Sequence, residues 1–434
     1  MIATSTDRMT ASSIASDVTS GVRTARDIAE AAISIIAEQE PELKALEFFD
    51  AATVRRQADR IDGTPSKGSF AGVTAVVKDI INTIDFPTTH GTPRYQGVYR
   101  GADAACVDML RGAGAVILGK AVTAEFAATN RGPKTRNPFD ARRSAGGSST
   151  GSAVAVAAGY CSLGIGTQTG GSVIRPASYN GVFGWKPTWG VIPVDGVRVL
   201  APTCDTVGFF ARDAADFDML ADLFRLDAAP IFEGLGTLRV GVCHTPSWHV
   251  AEAATRNALQ ETTSILSEAG ASVTCIELPA CFADIQRAQN TIMARELATT
   301  YLNEVSNTPD LHPDFAGWVE KGRGFSTNAV RDAYALSDRC RSEIDTVISG
   351  YDIVLAPSAT GEAPLGTEYT GNSSLNSMWT LLQVPALSVP GLWGPNGMPV
   401  GVSLIGRRYC DRTVISAAKL LAPLLYRPRI HHPR

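Results

Sequence analysis

The sequence predicts an α/β protein whose core is a mixed β-sheet covered by helices on both faces. Short apolar runs of strand length alternate with helix-length segments between residues 72 and 166, as in sheets whose strands are linked by helices. Longer segments with apolar residues at helical spacing follow in residues 213–347. Hydrophobic residues make up 44% of the 434 residues, which is enough for a sizeable core.

The first predicted element is a helix that precedes the sheet. Apolar residues including Ile14, Val18 and Ile28 recur at helical spacing, which predicts a helix over residues 12–38. We expect residues 1–65 to form an N-terminal helical segment that packs on the main body.

The sheet is predicted to begin after this segment. Strand-length apolar runs are followed by helix-length segments, and the second predicted helix ends at Gly159, a usual C-cap residue. The predicted strands cover residues 73–81, 115–119, 161–166, 237–243, 272–278, 351–356 and 386–389. The predicted helices of the first half cover residues 106–111 and 152–159.

Residues 213–347 change in character and are mainly helical. Helical patterns there cover residues 213–224, 251–269, 282–304 and 327–347, and a final helix is predicted over residues 411–425. We expect residues 213–347 to form a helix-rich cap within a single domain of residues 1–434, and not a second domain.

Composition argues against several classes of function. The net charge of -4 argues against a nucleic-acid or anionic-membrane partner. No apolar stretch reaches 18 residues, so no membrane span is expected. Residues 1–21 lack a basic region followed by an apolar run, and the eight cysteines are scattered. These features predict a cytoplasmic protein with reduced thiols.

Two glycine-rich loops, residues 144–152 and 164–177, are the main candidates for a functional site. Glycine lets a substrate approach the backbone closely, and consecutive N–H groups in such a loop can form an oxyanion hole. One loop alone would better suit an ordinary turn or a phosphate cradle. Neither loop has the Gly-Lys-Ser/Thr ending of a P-loop, a dinucleotide fingerprint or a Gly-x-Ser-x-Gly elbow.

The two loops, with a lysine on an apolar strand upstream, resemble the amidase signature family. The resemblance runs from about Gly72 to Arg212 and resumes over residues 351–411. The stretches that carry it are Val77-Lys78-Asp79, Asn137-Pro138, Gly146-Gly147-Ser148-Ser149, Gly170-Gly171-Ser172, Gly184-Trp185-Lys186-Pro187-Thr188, Asp205-Thr206-Val207-Gly208 and Pro399-Val400-Gly401-Val402.

The resemblance implies the amidase signature fold and a serine, cis-serine, lysine triad. By motif, Ser172 matches the nucleophile, Ser148 the bridging serine on a cis peptide, and Lys78 the base. The same resemblance implies that the N–H groups of Thr169, Gly170 and Gly171 form the oxyanion hole.

These residue types suit that chemistry. A serine hydroxyl needs a base to take its proton, and no histidine lies beside a plausible nucleophile motif. Lysine can act as a base when neutral, and apolar neighbours such as Val77 suggest burial that lowers its pKa. The alternative for Lys78 is an ion pair with a carboxylate. For Ser149 and Ser152 we expect capping of the following helix.

The nucleophile loop departs from the common family pattern. Gln168 stands where many members have aspartate, and Arg175 follows the nucleophile by three positions, as in the malonamidase branch. That resemblance implies that Arg175 holds a substrate carboxylate, since a guanidinium fits a carboxylate with two parallel bonds. Thr167 and Gln168 are further candidates for substrate binding. The alternative is that Arg175 makes a structural salt bridge under the loop.

The far wall of the pocket is expected in the predicted helix 282–304 and the loop 322–326, with Gln289 and Met293 as candidate residues. Trp318 is expected to be a packing residue. His244 and His249 lie in a predicted loop without a third ligand nearby, so no metal site is expected.

The function predicted is a stand-alone amidase that hydrolyses a small carboxylic amide through a serine acyl-enzyme, favouring short carboxylate-bearing amides such as malonamate. It needs no cofactor and no metal, its partner is the small-molecule amide, and it is compatible with a homodimer. Three alternatives stay open: a glutaminase-type subunit of a tRNA-dependent amidotransferase, a hydrolase of carbamoyl compounds such as biuret, and a catalytically silent binding protein.

Overall fold

The computed structural model describes residues 10–129, 132–230, 232–307 and 311–427. In these residues eleven strands form one mixed sheet, which confirms the predicted α/β class. The strands are β1 (Leu46–Phe49), β2 (Thr74–Lys78), β3 (Val116–Ala121), β4 (Leu163–Gln168), β5 (Phe183–Lys186), β6 (Thr206–Ala211), β7 (Arg239–Val242), β8 (Ser272–Cys275), β9 (Ile353–Pro357), β10 (Ala386–Trp393) and β11 (Pro399–Ile405).

Fourteen α-helices surround this sheet in the described residues. They are α1 (Ala11–Ser20), α2 (Ala25–Leu43), α3 (Ala51–Asp62), α4 (Ala105–Gly112), α5 (Thr150–Ala158), α6 (Ile174–Tyr179), α7 (Asp216–Leu223), α8 (Ala253–Glu268), α9 (Ile285–Thr300), α10 (Leu302–Asn307), α11 (Pro313–Gly324), α12 (Thr327–Val347), α13 (Ser374–Leu381) and α14 (Asp411–Leu425). Within those residues, no helix combines the length and the apolar character that crossing a membrane would need.

The strand order is β1-β3-β2-β4-β6-β5-β10-β11-β9-β7-β8. Two parallel groups, β3-β2-β4 and β9-β7-β8, lie on either side of an antiparallel centre that runs from β4 to β9. The sequence did not predict β5, β6 or β11. All their residues are buried, as are those of the predicted strands β2, β3 and β4.

The N-terminal segment differs from the single helix predicted over residues 12–38. Gly21 adopts a left-handed conformation with φ 76° and ends α1, and a capping box between Thr24 and Asp27 begins α2. The segment is also not purely helical. Its strand β1 pairs antiparallel with β3, so residues 1–65 contribute an edge strand to the sheet.

The predicted cap region also contributes to the sheet. Its strands β7 and β8 pair in parallel with each other, and β7 pairs in parallel with β9. The helix predicted over residues 282–304 is divided into α9 and α10. Together with α11 and α12, these helices form a layer on the sheet.

Helix α5 explains how the first glycine-rich loop is held. Every residue of α5 is buried, as expected of an Ala/Val-rich helix that packs on β2 and β4. Ser149 and Ser152 do not cap this helix, which corrects the prediction. Ser149 Oγ donates to Thr167 O at 3.1 Å and Ser152 Oγ donates to Ile165 O at 2.8 Å, so both hydroxyls join α5 to β4.

Candidate active site

The candidate site lies where three central strands meet at one edge of the sheet. Strands β2 and β4 are parallel neighbours, so Lys78 at the end of β2 lies beside the end of β4. The loop that leaves β4 carries Ser172. Strand β6 is antiparallel to β4, with Thr206 opposite Gln168, so Asp205 at its start reaches the same edge. Carboxyl ends of parallel strands are common places for ligand sites.

Lys78 is fully buried at this edge. Its Nζ donates to Ser148 Oγ at 2.8 Å and to Thr167 Oγ1 at 2.8 Å. Burial lowers the pKa of Lys78 to about 7; the negative charge of Asp205 raises that pKa and the positive charge of Arg175 lowers it further. A large fraction of Lys78 is therefore neutral near pH 7. No ion pair joins Lys78 to a carboxylate in the described residues, unlike the alternative considered from the sequence.

Ser148 and Ser172 line one cavity from opposite loops. Ser148 follows a cis peptide bond from Gly147, and Gly146 has φ 74°. Ser172 begins the turn into α6 and is 8% exposed. Among the described residues, no hydrogen bond joins the two serine hydroxyls directly. The structure thus connects Lys78 to Ser148 and brings Ser172 to the same cavity.

The loop before Ser172 presents its backbone to this cavity. Thr169, Gly170 and Gly171 line the cavity with Ser172. The N–H groups of these four residues donate to no other group in the described parts of the chain. Buried N–H groups without an internal partner suit an oxygen supplied by a ligand.

Asp205 holds this loop by hydrogen bonds. Its carboxylate accepts hydrogen bonds from Thr169 Oγ1 and from the backbone N–H groups of Leu200 and Ala201. Burial raises the pKa of Asp205 to about 6, although these hydrogen bonds and the charge of Lys78 lower it. Asp205 thus contributes a negative charge near Lys78 at neutral pH.

Thr167 and Gln168 are not among the described residues that line the cavity. Thr167 contacts Lys78, as given above. Gln168 is fully buried, and its Oε1 accepts hydrogen bonds from the N–H groups of Val173 and Ile174 at 2.9 and 3.0 Å. Both side chains are thus occupied in holding other parts of the site, and direct contact with a substrate, as predicted from the sequence, does not follow from these positions.

Arg175 lies on α6 and is 3% exposed. Its Nη2 donates to Gly147 O at 2.7 Å, whereas its Nε and Nη1 have no hydrogen-bond partner among the described residues. Burial lowers the pKa of Arg175. Arg175 makes no ion pair with a carboxylate in the described residues, so the predicted alternative of a structural salt bridge is not observed. A buried guanidinium with two free nitrogens suits an anionic ligand.

Helices α9 and α11 form the far wall of the cavity. Gln289 and Met293 of α9 lie there, as predicted, and Gln289 Nε2 donates to Thr169 O at 3.4 Å. The loop 322–326 is not among the described lining residues; Trp318, one turn earlier on α11, takes that place. The cavity has a volume of about 70 Å³. Its other lining residues are Ala127, Ala128, Thr129, Leu200, Asn290, Leu297 and Ser373.

Comparison with known proteins places this geometry in a family. The family model described as Amidase matches residues 27–415. The chain is 32% identical to a glutamyl-tRNA(Gln) amidotransferase subunit from Symbiobacterium thermophilum, over 92% of this chain and 93% of that protein.

Solved structures agree with the match. A crystal structure of an amidase superposes with a TM-score of 0.87 at 27% identity, over 96% of this chain and 100% of that one. The native peptide amidase from Stenotrophomonas maltophilia superposes with a TM-score of 0.82 at 25% identity, over 98% of this chain and 99% of that one. The family match over most of its length shows that this chain belongs to the amidase family of hydrolytic enzymes.

Proposed function

We propose that this enzyme hydrolyses a small carboxylic amide through an acyl-enzyme on Ser172, with Ser148 as proton relay and Lys78 as base. The observation that carries the proposal is the 2.8 Å contact between the buried Lys78 Nζ and Ser148 Oγ, at a cavity that Ser172 also lines. A serine can accept one proton while donating another, so it can link a nucleophile to a base.

The proton path follows from this contact. When Lys78 is neutral, Ser148 can donate its hydroxyl proton to Nζ while it accepts the proton of Ser172, whose Oγ attacks the amide carbonyl carbon. The carbon–nitrogen bond then breaks, and the leaving nitrogen takes the proton back from Lys78 through Ser148. Water repeats the sequence on the ester and releases the acid.

The oxygen of the tetrahedral intermediate is assigned to the loop before Ser172. Within the described residues, the N–H groups of Thr169, Gly170 and Gly171 have no partner, and these three residues line the same cavity. Donors fixed in advance stabilise the charge that develops on this oxygen, and losing one such donor costs about 10²- to 10³-fold in kcat.

The substrate assigned to this site is a short amide that carries a carboxylate, such as malonamate, as in the malonamidase branch. The free Nε and Nη1 of the buried Arg175 can bind a carboxylate. The cavity, with a volume of about 70 Å³, suits a short acyl group.

Ammonia release from malonamate and butanamide tests the proposal. These two amides are similar in size, and only malonamate carries a carboxylate. We expect malonamate to be hydrolysed faster, Arg175→Met to remove that preference, and Ser172→Ala to abolish turnover of both. Biuret as a third substrate tests the carbamoyl alternative.

Three results would contradict parts of this proposal. Wild-type turnover by Ser172→Ala would exclude the assigned nucleophile. Equal or faster hydrolysis of butanamide would exclude the carboxylate site at Arg175. Preferred hydrolysis of biuret would replace carboxylic amides with carbamoyl compounds.

A second candidate function is the glutaminase-type subunit of an amidotransferase. It is favoured by the 32% identity with one such protein over almost all of this chain. Glutamine should then be hydrolysed slowly by the isolated chain and faster with partner subunits, and malonamate should not be a substrate. Turnover of malonamate by the isolated chain at a rate above that of glutamine would exclude this candidate. The same purified chain, analysed by sedimentation, tests the predicted homodimer.

A further inference from the structure

The side chain of Gln168 forms hydrogen bonds at both ends, one end to the nucleophile loop and the other to α13. Its Oε1 accepts the N–H groups of Val173 and Ile174, the two residues after Ser172, at 2.9 and 3.0 Å. Its Nε2 donates to Thr380 Oγ1 on α13 at 3.0 Å. Gln168 and Thr380 are both fully buried, so solvent does not compete for these bonds.

Thr380 extends this contact to the residues before Ser172. Its hydroxyl has one hydrogen to donate, and it lies 2.8 Å from Gly170 O and 3.3 Å from Asn376 O. The shorter contact is the one across to the loop. A continuous chain of hydrogen bonds therefore runs from the Gln168 amide through the Thr380 hydroxyl to the Gly170 carbonyl.

The chain ends on a peptide unit that faces the cavity. The carbonyl of Gly170 and the N–H of Gly171 belong to the same peptide group. Bonds in a hydrogen-bonded chain polarise one another, so donation to the carbonyl oxygen makes the N–H of that group a stronger donor. The Gly171 N–H has no partner in the described residues, and Gly171 lines the cavity beside Ser172.

We propose that Gln168 and Thr380 are positioning residues that orient and polarise the Gly170–Gly171 peptide for the tetrahedral intermediate. This inference rests on the proposed function, because the intermediate forms only if Ser172 is the nucleophile. Neither side chain touches the substrate. Both act through the Gly171 N–H.

Thr380→Val, which keeps the shape of the side chain and removes the hydroxyl, tests the inference. Hydrogen bonds in a chain strengthen one another by about 10–30%, and an oxyanion donor contributes about 10²- to 10³-fold. Losing about 10–30% of the logarithm of that factor lowers kcat for malonamate by about 2- to 8-fold. Thr380→Ser restores the hydroxyl and is the matched control, with an expected kcat close to that of the wild type.

Three further measurements separate this effect from a general structural one. KM for malonamate should stay unchanged in Thr380→Val. The pH at which kcat/KM is half-maximal should also stay unchanged, because Lys78 is not altered. Inhibition by propylboronic acid, which forms a tetrahedral adduct with a serine, should weaken by the same factor as kcat.

Gln168→Glu tests the Gln168 end of the hydrogen-bond chain. The carboxylate keeps the two bonds to Val173 and Ile174, but it accepts the Thr380 hydrogen and so withdraws that hydrogen from Gly170 O. Its kcat at the pH plateau should fall in the same direction as that of Thr380→Val. If Thr380→Val does not fold, Thr380→Ala provides the same comparison with Thr380→Ser.

The inference is overturned if Thr380→Val keeps the wild-type kcat, or if Thr380→Ser loses as much kcat as Thr380→Val. A Gln168→Glu variant with wild-type kcat would show that Gln168 does not act through the hydrogen-bond chain, and would overturn the inference for that residue. Failure of the proposed function looks different, because Ser172→Ala would then retain turnover.

Discussion

At the scale of single residues, the basicity of Lys78 is set by burial and by two charges of opposite sign. Burial lowers its pKa to about 7, Asp205 raises that pKa, and Arg175 lowers it. Because only neutral lysine can take a proton, the rate should rise as Lys78 loses its own proton. In the proposed mechanism, the base Lys78 and the proposed carboxylate site are therefore coupled through Arg175.

The two charges give pH profiles that shift in opposite directions. In Asp205→Asn the pKa of Lys78 should fall, so the acidic limb of kcat/KM moves to lower pH. In Arg175→Met that pKa should rise, so the same limb moves to higher pH. The profile of kcat/KM reports groups of the free enzyme. Shifts in the same direction would show that the acidic limb does not belong to Lys78.

Which residues could be predicted depended on the range of their contacts. Lys78, Ser148 and Ser172 lie in short motifs that are visible in the sequence. The sequence predicts Trp318 as a packing residue, but in the structure it lines the cavity. Its position there depends on how α11 docks on α9, which no local sequence pattern shows. Gln168 was expected at the substrate, but its partner Thr380 lies 212 residues away in sequence.

At the scale of elements, the cavity wall depends on close packing between α9 and α11. Gly322 of α11 faces the backbone of α9, where a Cβ would lie 1.9 Å from Ala294 O. Gly317, on the same helix, is exposed, and a Cβ there would meet no atom of the described residues within 4 Å. Substituting each of the two glycines in turn therefore distinguishes the effect of packing from the effect of helix propensity.

Gly322→Ala should push α11 away from α9 and lower the free energy of unfolding by about 1–3 kcal/mol, the usual cost of overpacking. It should also raise KM, because Trp318 moves with α11. Gly317→Ala, the matched control, should raise the free energy of unfolding by up to about 1 kcal/mol, since alanine favours helix. Urea unfolding and KM for malonamate give both results. Equal effects of the two substitutions would contradict the packing argument.

Elements were predicted best where their apolar pattern was regular. The helix α14 has the predicted bounds, and β2, β3 and β4 lie within two residues of the runs that indicated them or inside those runs. The antiparallel strands β5, β6 and β11 were missed, although they are as fully buried as β2, β3 and β4, so burial alone does not decide which strands the sequence shows. Gly21 ends α1, and glycine is a usual helix-ending residue, but the apolar spacing continues beyond it and so predicted a single helix.

At the scale of the whole molecule, buried lysines make stability depend on pH. Lys186 is fully buried, like Lys78, and donates to Pro187 O at 2.7 Å. Burial lowers its pKa to about 7. Between that value and the ordinary lysine pKa of about 10.5, the unfolded chain binds a proton that the folded chain does not. The free energy of unfolding therefore gains a contribution that rises with pH across this window and is smallest below it.

Lys186→Met removes this contribution. Between pH 7.5 and 8.5, the free energy of unfolding of the variant should rise less steeply than that of the wild type, by about 1 kcal/mol per pH unit for one proton. Lys44→Met, at an exposed position, should keep the wild-type slope. Urea unfolding at both pH values measures the slopes. An unchanged slope in Lys186→Met would mean that Lys186 is charged in the folded protein.

The strand order also has a consequence for biosynthesis. Strand β5 pairs with β10, and Lys186 lies opposite Ala386, 200 residues later. At about 5–20 residues per second, a ribosome needs roughly 10–40 s to make that distance. During this time β5 can pair with β6 but not yet with β10, so one of its edges is unpaired. An unpaired strand edge is a template for pairing with other chains. The nascent enzyme therefore depends on the later synthesis of β10 to close the centre of its sheet.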